Sequence, residues 1–229
     1  MTITTRRLTR ATGLAAIAAG LLFILVQFIH PQEDAANVAT TVWAVTHILT
    51  LLMAVLAVIG ICGMYLRQVK QTGVLGLIAV ILFGANFMLI FAWTFVEAMV
   101  LPLLVNELPQ FVNDYIAIPG GGTVAGDVGS LKAVNLVAAA MYLLGGVLFG
   151  IAMFRGRVLA RWAALLLAAG TAITIVASVI PHSAARALAI PVGVALAGLG
   201  YSLWREQRTP AARPVLSPVR PPLDPAGAK

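Results

Sequence analysis

The sequence predicts an all-α, polytopic membrane protein: a bundle of six transmembrane helices with both termini in the cytoplasm. Three observations predict it. The 229 residues are 61% hydrophobic and 10% charged, whereas a soluble domain of this size is about a quarter charged. Six apolar runs are each long enough to cross about 30 Å of hydrocarbon. The basic residues sort to one side of those runs. Arg6, Arg7, Arg10, Arg67, Lys70, Arg155, Arg157, Arg161, Arg205, Arg208, Arg213, Arg220 and Lys229 fall on one face, and only Lys132 and Arg186 on the other. The positive-inside rule assigns the crowded face to the cytoplasm.

The runs span 11–30, 43–66, 73–101, 131–154, 158–180 and 184–204, all within a transmembrane domain over 1–208. Arg6-Arg7 before the first run is loosely like a twin-arginine export signal. The core is too long for a cleaved signal and runs into His30-Pro31, so an uncleaved first helix is expected. Trp43 and Tyr65 bracket the second run, about 33 Å apart on a straight helix, as interfacial anchors. The inner connections are short and imply tight hairpins. Gly146 and Gly150 give the fourth helix a small-residue face for close packing. Pro191 is expected to kink the sixth helix. Cys62, the single cysteine, excludes an internal disulfide and a Cys-x-x-Cys pair. In an apolar run it reads as packing.

The outer segment 102–130 is long. Asn106 to Pro119 mixes Phe111, Tyr115 and Ile116 with Glu107, Asn113 and Asp114, the pattern of an interfacial helix or lid. The glycine-rich stretch 119–130 lacks the Gly-Lys-Ser/Thr ending of a phosphate loop. It reads as a linker, with Ser130 as N-cap of the fourth helix. The tail 209–229 carries six of the twelve prolines and is expected to be disordered.

The candidate site lies at the outer end. His30, His47 and His182 all fall there, as does Glu97, an acid inside an apolar run. Helical spacing stacks Trp43, His47 and Thr50 on one face, and Asn86, Trp93 and Glu97 on another. Gln27 sits one turn before His30. Asn135 aligns with Tyr142, and Thr171, Thr174 and Ser178 form a stripe toward His182. Polar stripes are costly against lipid, so they should turn inward around a pocket. His30, His47, Thr50, Glu97, Asn135, Ser178 and His182 are its expected ligand-binding residues. Glu97 needs a partner there: Lys132, Arg186 or a protonated histidine.

Several uses compete. The pocket could bind or move a small molecule or a proton, with Glu97 and the histidines titrating. A metal-dependent membrane enzyme could use His30, His47, His182 and Glu97 as ligands, since imidazole and carboxylate suit Zn, Cu, Fe and Ni. Haem b between two histidines is a further cofactor reading. An accessory subunit would use the same groups only for interfacial packing. Asn86, Thr171 and Thr174 read best as hydrogen-bond glue between helices. The bilayer is the partner the composition requires. A small-molecule ligand, a second copy or another membrane subunit are further candidates. Nucleic acid is excluded, because no basic helix or aromatic platform is present.

At His30-Pro31, Trp43-Ala44-Val45-Thr46-His47 and Tyr65-Leu66-Arg67-Gln68, the chain resembles small multi-pass membrane proteins of actinobacteria and related bacteria. The resemblance covers about residues 1–205. It implies a six-helix bundle and assigns no activity.

Overall fold

A computed structural model describes residues 4–179 and 186–206; the expectations for His182 and the tail lie outside them. Every regular element among the described residues is helical. Helix α1 is Thr5–Ile29, α2 Ala35–Val38, α3 Thr41–Arg67 and α4 Val69–Phe95. A π-turn, Val96–Val100, continues α4 into α5, Leu101–Leu104. Helix α6 is Pro109–Ala117, α7 Leu131–Gly156 and α8 Arg161–Ile173. A 3-10 turn, Thr174–Val179, extends α8, and α9 is Ile190–Glu206.

Four stretches are long and apolar enough to cross a membrane: Thr5–Ile29, Thr41–Arg67, Val69–Leu104 and Leu131–Gly156. Only 33–39% of their most apolar windows is buried inside the protein. Leu21, Ile81 and Leu136 are instead more than half exposed, at 57%, 58% and 71%. Such a continuous apolar exterior requires an apolar solvent. Helix α8 ends at Ile173, inside the expected fifth run, and the 3-10 turn continues it; the expected start of the sixth run lies outside the described residues. Pro191 is the second residue of α9 rather than a mid-helix kink. Its missing N–H is one that a first turn leaves unbonded anyway, so no helical hydrogen bond is lost.

The six longer helices close a ring in chain order: α1 packs on α3, α3 on α4, α4 on α7, α7 on α8, α8 on α9, and α9 back on α1. Phe83, Phe149, Met153, Leu167, Leu196 and Ile61 fill its centre. Small residues set the closeness. A Cβ on Gly20 would stand 2.4 Å from the Gly193 carbonyl oxygen, and one on Gly63 would meet Thr12 at 2.1 Å. Gly146 and Gly150 pack as expected, against Thr171 and against Ala164 and Ala168. Gly73 has φ 53° and ψ −142°, which breaks α4 after its first turn, where only glycine is at ease.

Two polar expectations are corrected. The Thr171 hydroxyl donates to Leu167 O, 2.9 Å, and Thr174 to Thr171 O, 2.6 Å, so both bond their own helix rather than bridge to a neighbour. Asn86 is buried with its amide nitrogen unbonded, and so is not interhelical glue either. A short hydroxyl reaches the preceding turn's carbonyl more easily than a neighbouring helix. Ser130 stands at the N-cap position of α7, but its side chain makes no capping bond.

Candidate functional site

The chain positions the site from six directions. His30 follows the last turn of α1. His47 and Thr50 lie on α3, and Glu97 in the π-turn that ends α4. Helix α6 covers this end, with Val112, Tyr115 and Ile116 packed on Val38, Trp43 and Leu101. Asn135 enters from α7, and Arg186 stands before α9.

His47 and Glu97 form the centre. The His47 ring is buried, and its Nε2 lies 3.4 Å from Glu97 Oε2. Its Nδ1 lies 2.7 Å from the Trp43 carbonyl oxygen. A carbonyl only accepts, so Nδ1 carries a hydrogen and Nε2 is the nitrogen that faces the carboxylate. An unprotonated Nε2 facing an ionised carboxylate would set acceptor against acceptor. One proton therefore resides between them, as imidazolium beside carboxylate or imidazole beside carboxylic acid. Glu97 Oε1 accepts from Trp93 Nε1 at 3.1 Å. The backbone carbonyl of Glu97 accepts from Trp43 Nε1 at 2.8 Å. A π-turn loosens the carbonyl ladder, which suits a carbonyl bonded from outside its helix.

Aromatic rings lock this frame. Trp43 stacks on His47 with ring centroids 4.1 Å apart, and Trp93 stacks on Tyr115 at 4.4 Å. The Tyr115 hydroxyl donates to the Trp93 carbonyl at 3.2 Å. Burial pushes the Tyr115 phenol above its ordinary range, with the nearby Glu97 adding to the effect. Trp43 is thus a buried site residue, 0% exposed, and not the interfacial anchor its position suggested. His30 touches the same cluster edge-on, 5.2 Å from the His47 ring. Its Nδ1 donates to the Pro31 carbonyl at 2.9 Å. Burial holds its imidazole down to about 4, so it is neutral at neutral pH.

The expected partners of Glu97 separate clearly. A histidine, His47, takes the role. Arg186 instead pairs with Glu33, with 3.0 Å between Nη2 and Oε1. Lys132 is exposed at the start of α7. Thr50 spends its hydroxyl on Thr46 O, 2.9 Å, and Asn135 donates to Ile118 O at 3.4 Å. Ser178 lies in the 3-10 turn; its side chain, like His182, is outside what the structure describes.

Three adjoining cavities meet at this cluster. One of about 280 Å³ is lined by Gln27, His30, His47, Thr50, Glu97 and Arg186, among others. A second, of about 240 Å³, runs from Glu97 and Trp93 to Asn135. A third, about 580 Å³, lies between His30, Glu33 and Arg186 and the end of α6. His30 and Glu33 line all three.

Asp114 carried no role in the sequence reading beyond its place in the outer segment, and the structure gives it one. It accepts from the backbone N–H groups of Ala125 and Gly126, at 3.0 and 2.8 Å, and from Gln110 at 3.0 Å. The Ala125 N–H in particular holds its carboxyl below the ordinary range. Asp114 thereby ties the glycine-rich stretch to α6. No local motif marks it, because its donors lie eleven and twelve residues away.

For a metal or haem the fit is poor among the described residues. No group of three histidine, cysteine or carboxylate side chains is placed to hold an ion. His47 has both ring nitrogens engaged, and His30 leans on it edge-on instead of facing it across a gap. No family model, curated protein or solved structure matches the chain.

Proposed function

We propose that the chain is a six-span protein of a bacterial cytoplasmic membrane, both termini inside, whose outward-facing end binds or transports a small molecule or a proton. The basic residues support the orientation. Helix α8 and its 3-10 extension together rise about 31 Å, which supports a fifth crossing. Helix α9 rises about 25 Å, short of a straight crossing but adequate where the bilayer thins locally.

The single observation that carries the reading is the Glu97–His47 pair on the wall of a cavity. A carboxylate at mid-bilayer costs on the order of 3 kcal/mol, less near the interface. Helix packing alone would be served by an apolar side chain. A carboxyl and an imidazole sharing one proton beside an open cavity can accept, donate or exchange charge with a guest. The test is thermal denaturation of the purified full chain against a library of small amines, acids and neutral polar molecules. A ligand present at about 100 times its Kd adds about 2.7 kcal/mol of stability. Some compound class should raise the Tm of the wild type and fail to do so for both Glu97→Gln and His47→Asn. A library that shifts neither the wild type nor the variants contradicts a binding function.

A further inference from the structure

The three cavities differ in charge, and the difference identifies a ligand class. The 240 Å³ cavity between Glu97 and Asn135 has two carboxylates on its wall, Glu33 and Glu97, and no lysine or arginine among its described lining residues. Its remaining surface is largely apolar, with Leu89, Ile90, Pro119 and Val134, and Trp93 supplies an aromatic wall. Arg186 lines the other two cavities instead and is paired there with Glu33. An anion entering this site would face Glu97 with no lysine or arginine among the described lining residues to meet it.

Resting on the binding function proposed above, we propose that this cavity takes a small organic cation, a protonated amine with an apolar body, and that the cation replaces the proton held between Glu97 and His47. The charge balance supports the exchange. At rest Glu33 and Arg186 neutralise each other, and Glu97 and His47 share one proton, so the site is neutral. An ammonium at Glu97 Oε2 or Oε1 restores that neutrality only if the shared proton leaves to water. His47 then stands as neutral imidazole, its Nδ1 hydrogen still on Trp43 O. Among the described residues, the titratable and charged groups facing Glu97 are His47 from α3, His30 after α1, Glu33 beyond it, Arg186 before α9, and Tyr115 from α6. His30 is neutral, and the Tyr115 phenol stays protonated near neutral pH. The exchangeable proton is therefore the one between His47 and Glu97. Affinity should rise about tenfold per pH unit while the pair holds that proton, then level off.

Three probes of one shape, benzylamine, benzyl alcohol and benzoate, isolate the charge. Each is titrated calorimetrically into the full chain in detergent at pH 7, in two buffers of different ionisation heat. Benzylamine should bind with release of about one proton, and the alcohol and benzoate should bind at least about tenfold more weakly. Glu97→Gln should abolish amine binding. Asn135→Leu, which fills the cavity without touching the pair, should weaken it about tenfold and guards against a Glu97 variant that fails to fold. Equal or better binding of the alcohol or benzoate overturns the cation class while leaving a binding site standing. Amine binding without proton release overturns the exchange. Binding of none of the three removes this proposal and, together with a silent compound library, the binding function beneath it.

Discussion

Glu97 has more partners than a structural carboxylate needs: His47 on one oxygen, Trp93 on the other, and Trp43 on its backbone carbonyl. Each partner is itself fixed by a stacked ring, which holds the carboxyl in one orientation at the cavity wall. His30 adds a pH response with a definite sign. Its imidazole is depressed from 6.5 to about 4 by burial, so the folded protein binds this proton less readily than the unfolded chain. The stability His30 contributes is complete above pH 6.5 and is lost as the pH falls toward 4. The Tm of the wild type should therefore drop across that window more steeply than that of His30→Gln; parallel curves would contradict the burial argument. Helical spacing was enough to bring His47 and Glu97 to the same end, because each lies near that end of a long apolar stretch. Spacing could not show that Trp43 and Trp93 serve the pair. A tryptophan near a helix end reads as a membrane anchor until the neighbouring helix is in place. The pairing of Arg186 with Glu33 was equally illegible, since 153 residues separate them.

Elements are held together here by what side chains leave out. Helix α1 meets α9 through Gly13, Gly20, Gly193 and Gly200, and meets α3 through Gly60 and Gly63. In lipid no hydrophobic drive separates helix from solvent, so close backbone approach is the main source of helix affinity. Gly20→Ala places a methyl 2.4 Å from a backbone carbonyl that cannot swing aside. It should destabilise the bundle by about 1–3 kcal/mol, as overpacking does. Gly84→Ala, with open space around its Cβ position, should be neutral or slightly stabilising. Denaturation of both variants in mixed detergent micelles checks the contrast, and equal effects would contradict the packing account. The sequence runs matched the helices well where apolar residues dominate, as in α1, α3 and α7. At α8 the run hid a change of helix type, because hydropathy alone does not distinguish an α-helix from the 3-10 turn that extends α8. The π-turn at Glu97 was likewise invisible, since one extra residue in a helix leaves composition unchanged.

Over the whole molecule, the ring of helices puts polarity at one end and positive charge at the other. The His47–Glu97 pair, its cavities and the α6 cover lie together at the first end. Arg67, paired with Glu206, marks the second. This asymmetry was legible early, because charge sorting between loops needs no tertiary information. Its meaning depends on which end faces out. Single cysteines in a Cys62→Ala background resolve that directly. Asp114 is a poor labelling position, being 3% exposed and bonded to the loop it organises. Glu107 at the polar end and Lys70 at the basic end are both exposed. With a membrane-impermeant maleimide on intact cells, Glu107→Cys should label at once and Lys70→Cys only after permeabilisation. Labelling of Lys70→Cys from outside, with Glu107→Cys protected, would place the pocket on the cytoplasmic face and contradict the outward-facing binding site.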